Sequence, residues 1–141
     1  MGHVVDIRRF QNDHAAEARV LEIPSHLIAE DERFFAFLDI RPLNEGHTLV
    51  IPKKEVDYFF DLEEELLSGI MPFAAKVAKA IKKVVPCQRI GVSVVGLEVP
   101  HAHVHLIPIN EVADMSFART PKSMSQDDLA QLAIKIRSAY E

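Results

Sequence analysis

The chain has 141 residues, of which 48% are hydrophobic and 26% charged, a balance typical of one globular domain with a single core. Its formal net charge of −5 argues against a dedicated binder of long nucleic acids, although a small phosphorylated ligand can still bind in a locally positive pocket. The single cysteine, Cys87, excludes an internal disulfide, and no apolar run approaches the roughly 20 residues of a membrane span. Because no signal peptide is recognisable either, we expect a cytoplasmic protein that is not attached to a membrane.

Three short strands are predicted in the first half of the chain. A charged run at 30–33 and a loop at 41–46, which is rich in turn-forming residues, separate them. Upstream, residues 1–22 follow no regular pattern well, although 12–21 could form a short helix with weak apolar spacing. The predicted strands, rich in aromatic and branched residues, are 27–29, 34–40 and 47–51.

A long amphipathic helix is predicted next, from residue 62 to about 85. Asp61 is its candidate N-cap, and the acidic residues 63–65 suit the positive end of the helix dipole. Pro72 is expected to kink or interrupt the helix, because proline lacks a backbone N–H. The lysines occupy polar positions, which we interpret as a solvated face. The apolar stripe, with spacings of three and four, consists of Leu66, Ile70, Phe73, Val77, Ile81 and Val84.

Two more strands and a second helix are predicted in the rest of the chain. The strands are 89–95 and 100–109, joined by the short connection 96–99. Ser125, with Asp128 three residues later, resembles a capping box that opens the second helix. The buried face of that helix is predicted to be Leu129, Leu132, Ala133 and Ile136.

This order of elements indicates a single α+β domain over 1–141. We expect a mainly antiparallel sheet of about five strands, with the long helix between the third and fourth strands. In this interpretation 1–22 is an atypical N-terminal segment, and 110–141 is a C-terminal extension that carries the last helix.

Three histidines alternate with apolar residues near the end of the predicted sheet. His101, His103 and His105 lie two residues apart, so in a half-buried strand their side chains would share one face. Neighbouring members would then have Cα atoms about 6.6 Å apart, close enough to act on one substrate group. Imidazole, with an unperturbed pKa of roughly 6.5, suits nucleophilic and proton-transfer chemistry near neutral pH. The intervening residues, expected to face the core, are Ala102, Val104 and Leu106.

Two other interpretations of this segment stay open. Three imidazoles can hold a zinc ion, although such sites usually include a carboxylate, a cysteine or a helical histidine pair, and no such motif occurs here. The segment could also be a polar strand face without a function. We favour nucleophilic or acid–base chemistry and expect no metal and no cofactor.

The run from His101 to Ile107 resembles the signature of the histidine triad (HIT) family of nucleotide hydrolases and transferases. Three further blocks resemble family segments in the same order, so the similarity covers roughly residues 22–109. They are Ile23-Pro24 with Glu30-Asp31, Phe37-Leu38-Asp39-Ile40, and Gly46-His47-Thr48-Leu49-Val50-Ile51-Pro52-Lys53. The resemblance implies a HIT-like α+β fold.

The resemblance also implies roles for four histidines. His103 would attack the α-phosphorus of a nucleotide and form a covalent nucleotidyl-histidine intermediate, which water then resolves. His105 would contact the phosphate oxygens and stabilise charge in the transition state. His101 and the remote His47 would form a supporting shell of hydrogen bonds.

The nucleoside would be held by residues around the second predicted strand. Asp39 matches the position whose carboxylate accepts hydrogen bonds from the ribose hydroxyls, although it could instead cap the following loop. Leu27, Leu38 and Ile40 match the apolar surroundings of the base, and core packing is an equally credible function for Leu27 and Ile40.

The segment before the triad departs from the family pattern. Many members have an asparagine and a Gly-Gln-Ser or Gly-Gln-Thr turn there, and these residues handle the leaving group. Gly96 is retained, but Leu97 and Glu98 replace the polar pair. Glu98 could bind an amine leaving group, yet beside a phosphate it would repel the ligand. The candidate leaving-group residues are Ser93, Gly96, Glu98 and Val99.

We therefore expect a hydrolase that cleaves at the α-phosphate of a purine nucleoside phosphoramidate or a dinucleoside polyphosphate. The alternative is a nucleotide sensor that binds phosphate without efficient catalysis, which the changed residues Leu97 and Glu98 motivate. Both alternatives have a small nucleotide as the ligand.

A two-fold homodimer is also implied by the resemblance, with the long helix and an adjoining strand pairing across the axis. The sequence adds weaker support, because the helix is apolar beyond one stripe and because Phe59 and Phe60 cannot easily face the same core. Alternatively, the C-terminal helix covers this extra surface within one chain. The additional apolar positions are Leu67, Met71, Ala74 and Ala78.

Overall fold

The computed structural model describes residues 26–141, so the short helix predicted at 12–21 lies outside the described residues. Five strands form one antiparallel sheet, which two helices cover on one face. The strands are β1 (Leu27–Glu30), β2 (Phe34–Leu38), β3 (Thr48–Pro52), β4 (Arg89–Ser93) and β5 (Val104–Ile109). The helices are α1 (Glu64–Val84) and α2 (Gln126–Ala139), with short 3₁₀ turns at Phe59–Asp61 and Val112–Met115. The predicted α+β architecture is confirmed.

The strand order in the sheet is β1-β2-β3-β5-β4, and α1 connects β3 to β4. This order leaves β4 at one edge of the described sheet and places β5 in its interior. In the register, His105 of β5 lies opposite Leu49 of β3 on one side and opposite Ser93 of β4 on the other. The two predicted histidine-bearing segments, around 47 and around 105, are therefore neighbours in the sheet.

Apolar residues pack on both faces of the sheet, and they form a large cluster on one face and a small cluster on the other. The large cluster lies between the sheet and the helices and includes Phe34, Ala36 and Leu38 of β2. On the opposite face Phe37 joins Leu49 and Ile51 in a small cluster. Alternation of side chains along each strand divides the apolar residues between the two faces, and only the helix-covered face adds helix residues to its cluster. His105 shares the face of its register partner Leu49, away from the helices.

The start of α1 differs from the prediction. Glu63 is the N-cap residue and makes no side-chain capping bond, whereas Asp61 belongs to the preceding 3₁₀ turn. Between them Leu62 is extended and almost fully buried, so its insertion into the core separates the turn from the helix. Pro72 lies inside α1 without interrupting it. Of the two expected effects, an interruption is contradicted, while a kink stays a prediction. The proline is exposed, so water can solvate the carbonyl that loses its donor.

The two helices bury the predicted faces. Within the stripe of α1, Leu66, Ile70, Phe73, Val77 and Ile81 are buried. Ser125 caps α2 by accepting a hydrogen bond from the backbone N–H of Asp128 (3.0 Å), as predicted. All four residues predicted for the buried face of α2 are buried. Ala74, expected on an outer surface of α1, is instead part of the core, while Met71 is exposed.

Candidate active site

The prediction that one strand carries all three triad histidines is wrong, although the ring centroids of His103 and His105 still lie 4.9 Å apart. β5 begins at Val104, so His105 lies in the strand while His101 and His103 lie in the loop before it. The loop bonds to the segment after β3, because the backbone N–H of Ala102 donates to the carbonyl of Val56 (2.7 Å). All residues of 101–108 are buried, so the alternating pattern does not mark a half-exposed strand.

His101 anchors this loop to the end of β3. Its Nε2–H donates to the carbonyl oxygen of Pro52 over 2.8 Å. The carbonyl of His101 in turn accepts a hydrogen bond from Nδ1 of His103 over 2.7 Å. A carbonyl oxygen can only accept, so each of these bonds determines which ring nitrogen carries the proton.

The tautomer of His103 is that of a nucleophile. Because Nδ1–H is used in the bond to the His101 carbonyl, the lone pair of the neutral ring is on Nε2. Burial lowers the pKa of His103 from its usual value, while the bond to the carbonyl opposes this effect. The ring is therefore neutral near pH 7, the state in which Nε2 can attack an electrophile.

A second pair of histidines forms a directed hydrogen-bond chain. The backbone N–H of Leu43 donates to Nδ1 of His47 (3.0 Å), so the proton of His47 is on Nε2. This Nε2–H donates to Nδ1 of His105 over 3.0 Å. Consequently His105 has its own proton on Nε2. One backbone amide thus determines the tautomers of two imidazoles in sequence.

Both members of this pair stay neutral at physiological pH. Burial lowers the pKa of His47 to about 4, and the positive charge that His103 would carry adds to the effect. Burial, with His103 and His47 as further causes, lowers the pKa of His105 to about 3. His105 therefore offers a neutral N–H donor rather than a fixed positive charge.

Asp39 lies at the end of β2, beside the histidine pair. Its Oδ1 accepts a hydrogen bond from the backbone N–H of Arg41 (2.9 Å), so the carboxylate does support the following loop. Its Oδ2 lies 3.7 Å from Nε2 of His47. Burial raises the pKa of Asp39 to about 6, against the lowering effects of the Arg41 amide and charge. The group is still mainly ionised at pH 7 and can accept hydrogen bonds.

Residues 20–112 match the model of the HIT domain. The chain belongs to the histidine triad family. The adenosine 5′-monophosphoramidase of Saccharomyces cerevisiae is 43% identical over 89 residues, which are 62% of this chain and 56% of that protein. Its counterpart in Schizosaccharomyces pombe is 33% identical over 120 residues, covering 83% and 90%. The crystal structure of a HIT-like protein from Bartonella henselae has a TM-score of 0.71 at 35% identity, over 83% of this chain and 87% of that one.

The apolar residues predicted to surround a base are distributed over the sheet in this HIT protein. Leu38 is buried and Ile40 half-buried, and both contact the cluster under the helices. Leu27 is half-buried at the start of β1, opposite Phe37. Core packing accounts for Leu38 and Ile40, so contact of these residues with a base stays a prediction.

The residues predicted for the leaving group separate into two sets. Ser93 lies beside His105 in the register, and Gly96 lines a cavity that His103 also lines. Val99 packs against the small cluster on the far face of the sheet. Glu98 is exposed, as is Leu97, which is 89% accessible. The positive φ of Gly96 (74°) turns the chain here and lets these two side chains point into solvent.

Phe117 is part of the site in this HIT protein but was missed in the sequence. Its ring centroid lies 4.7 Å from that of His105 and 6.4 Å from that of His47, with edge-on geometry at both. It therefore shields the histidine pair from water. The available signal was one aromatic residue in the loop after β5, which is too weak to assign a role.

Asp39, His47 and His105 are also potential metal ligands, with donor atoms within 4.8 Å of one another. A metal on Nε2 of a neutral His47 would need the ring proton on Nδ1. That nitrogen already faces the donating N–H of Leu43 at 3.0 Å, so two donors would oppose each other. Metal-bound histidines usually donate their second N–H to an acceptor, and this environment offers the reverse. The hydrogen bonding thus favours the histidine chain over a metal centre.

Neither helix within residues 26–141 is long and apolar enough to cross a membrane.

Proposed function

We propose that this HIT protein hydrolyses purine nucleoside phosphoramidates or dinucleoside polyphosphates at the α-phosphate. The observation that carries the proposal is the bond from Nδ1 of His103 to the carbonyl of His101, which leaves a lone pair on Nε2 of a neutral, buried imidazole. A nucleophile held in this tautomer needs no base to activate it.

The proposed reaction has two displacement steps at phosphorus. Nε2 of His103 forms a bond to the α-phosphorus, while the bond from phosphorus to the leaving nitrogen or oxygen breaks. The leaving group departs with that electron pair, and an amine takes a proton from the medium. Water then attacks the same phosphorus, its proton is lost to solvent, and the bond to His103 breaks to release the nucleoside monophosphate. Two easier displacements replace one difficult displacement.

His105 and Asp39 would orient the substrate. The Nε2–H of His105, directed by the bond from His47, would donate to a phosphate oxygen as charge develops there. The Oδ2 of Asp39, next to His47, would accept hydrogen bonds from the ribose hydroxyls. The two yeast relatives are both named adenosine 5′-monophosphoramidases, which supports adenosine phosphoramidate as the first substrate to test.

The proposal is tested by changing His103 to Ala. We expect turnover of adenosine phosphoramidate to fall by at least about 10³-fold, as for the loss of other covalent nucleophiles. The matched control is His26→Ala, since His26 is also buried and bonded to a side chain (Gln126 Oε1, 2.8 Å) but lies at the start of β1. Unchanged kinetics in the His103→Ala variant would rule out the proposed nucleophile.

A nucleotide sensor is the second candidate, because the side chains of Leu97 and Glu98 are exposed and do not line the cavity beside His103. Rapid quenching of enzyme and substrate followed by intact-mass analysis separates the candidates. A nucleotidyl group retained on His103 rules out the sensor. Tight binding of nucleotide without an adduct and without turnover supports it.

We also propose that two copies associate through β4 and α1. β4 is at the edge of the described sheet, where its outer backbone groups can pair with another strand. Val92 is 49% exposed and follows Ile90 on the face that packs toward the helices. On α1, Met71 is 45% exposed. An edge strand beside an apolar helix surface suits a two-fold interface.

A further inference from the structure

Asn44 is half-buried in the loop between β2 and β3 and forms hydrogen bonds with three other segments of the chain. Its carbonyl oxygen accepts a hydrogen bond from the backbone N–H of His47 (3.0 Å). Its side-chain Nδ2 donates to the carbonyl oxygen of Pro108 (2.8 Å), which lies three residues after His105 in β5. One residue therefore joins the segment that carries His47 to the strand that carries His105.

The backbone amide that starts the histidine chain belongs to the residue before Asn44. The N–H of Leu43 donates to Nδ1 of His47 (3.0 Å), and the side chain of Leu43 is buried. Because the Cα atoms of adjacent residues are held 3.8 Å apart, a displacement of Asn44 also moves Leu43. Hydrogen bonds weaken steeply when donor and acceptor are misaligned. The bond from Leu43 to His47 therefore depends on how firmly the loop is held at Asn44.

Two residues of the segment after β5 hold the side chain of Asn44. The carboxylate of Asp114 bonds to this side chain, and Nη2 of Arg119 donates to its Oδ1 in a long hydrogen bond of 3.5 Å. Arg119 also donates from Nη1 to the carbonyl oxygen of Asp114 (3.0 Å). The backbone N–H groups of Asn110 and Glu111 donate to Asp114 and lower its pKa, so its carboxylate stays an acceptor. We call Asn44, Asp114 and Arg119 the clamp.

The partners of Asn44 require a side chain that both donates and accepts. Its NH₂ group supplies two donors, one for the carbonyl of Pro108 and one for the carboxylate of Asp114, while its oxygen accepts from Arg119. An aspartate of the same shape has no donor at pH 7, and it would place a second negative charge against Asp114. The chemistry of the clamp thus specifies a carboxamide at position 44.

We propose that Asn44 is a positioning residue, and that the clamp acts through the amide of Leu43 to determine which ring nitrogen of His105 is protonated. When the clamp is broken, the N–H of Leu43 leaves Nδ1 of His47, and either nitrogen of that ring can then carry the proton. His47 no longer donates to His105 at all times, so His105 loses its fixed N–H toward a phosphate. The effect on catalysis rests on the proposed hydrolysis, whereas the effect on the tautomers does not.

The first experiment measures ¹⁵N chemical shifts of labelled histidine in Asn44→Asp. In the wild-type protein Nδ1 of His47 and Nδ1 of His105 should both be unprotonated acceptors. In the variant we expect the shifts of both rings to become averages over two tautomers. The control is Ser125→Ala, which removes the bond that caps α2 and so destabilises the protein at another place. Its shifts for His47 and His105 should equal those of the wild type, and urea unfolding shows whether the two variants are comparably destabilised.

The second experiment measures hydrolysis of adenosine phosphoramidate. Asn44→Asp should lower kcat by about tenfold and change KM by less than about twofold, because the donor of His105 acts mainly as charge develops on the phosphate. Arg119→Gln should lower kcat by only about threefold, since the bond between Asn44 and Asp114 is kept. Exchanging the two groups, with Asn44→Asp and Asp114→Asn together, restores a carboxamide–carboxylate pair and should raise kcat about threefold above Asn44→Asp alone.

The outcomes separate this inference from the proposed function. If the wild type hydrolyses the phosphoramidate but Asn44→Asp keeps the wild-type tautomers, the clamp has no positioning role while the hydrolase stands. Equal changes in Ser125→Ala would assign the effect to lost stability and also overturn the inference. If the wild type cleaves no phosphoramidate, the hydrolase is wrong, and the histidine shifts still decide the role of Asn44. Should Asn44→Asp fail to fold, the shifts of Arg119→Gln decide it in the same way.

Discussion

Substituting His47 tests whether one backbone amide controls the tautomer of His105. In His47→Phe, the ring is replaced by one without hydrogen-bonding atoms, so the N–H of Leu43 and Nδ1 of His105 both lose their partners. In His47→Gln, the side-chain amide can still donate to Nδ1 of His105, while the Leu43 N–H loses its ring acceptor. In His47→Gln a donor to Nδ1 of His105 therefore still places the proton of His105 on Nε2, whereas in His47→Phe nothing from residue 47 does so.

The expected magnitudes follow from the number of buried groups left without partners. Each costs about 1 to 3 kcal/mol, so His47→Phe should lower the free energy of unfolding by about 2 to 6 kcal/mol and His47→Gln by about 1 to 3 kcal/mol. For catalysis, misdirecting one donor to a developing phosphate charge should lower kcat/KM by about 10²-fold in His47→Phe. We expect about a tenfold loss in His47→Gln, because its donor bond is preserved but less rigid.

Three measurements check this reasoning. Urea unfolding gives the stabilities, steady-state hydrolysis of adenosine phosphoramidate gives kcat/KM, and ¹⁵N chemical shifts of labelled histidine report which ring nitrogen of His105 is protonated. The wild-type protein should show a proton on Nε2 of His105 and an acceptor at Nδ1. The tautomer argument is refuted if His105 has the proton on Nδ1 in the wild type, or if His47→Phe retains full activity.

Two further predictions concern pH and assembly. The pKa of Asp39 is raised to about 6 by burial, so a falling pH protonates it and removes an acceptor for ribose. The affinity for the methyl ester of AMP, whose phosphate charge is constant, should be full above about pH 7 and decline below about pH 6, whereas Asp39→Asn should bind weakly with a flat profile. For assembly, light scattering should give twice the chain mass of 15.9 kDa. Met71→Lys should shift this to the monomer, and a monomeric wild type would exclude the dimer.

Much of the fold was predictable because local patterns coincide with the tertiary contacts. The spacing of Leu66, Ile70 and Phe73 predicts which face of α1 is buried, whatever element the helix packs against. Ser125 at the start of α2 acts through a bond to a residue three positions away, so its effect is visible in the sequence. The start of α1 was less predictable, because the burial of Leu62 competes with the capping preference of Asp61.

The geometry of the triad was not predictable in the same way. The alternation of histidine and apolar residues in the sequence does not show whether the backbone of this segment pairs with a neighbouring strand. The loop conformation of His101 depends on the carbonyl of Pro52, 49 positions away in the sequence. Likewise, the tautomer of His105 depends on the N–H of Leu43, which acts through the ring of His47. His47 and His105, which share the second of these two hydrogen bonds, are 58 positions apart in the sequence. Local patterns indicate which residues are chemically capable, but they carry no information about these distant partners.

The position of Phe117 was also not predictable from local sequence patterns. Its place against His105 depends on the loop after β5, which a reciprocal capping box between Glu111 and Asp114 stabilises at one end. At the other end, the backbone N–H of Lys122 donates to the carbonyl of Pro42 over 2.7 Å. Pro42 precedes Leu43, whose N–H begins the histidine chain. The loop that contacts the histidine pair and the amide that orients it are thus held together by this bond, so we expect a change in the C-terminal loop to alter the tautomers of His47 and His105 without changing a histidine.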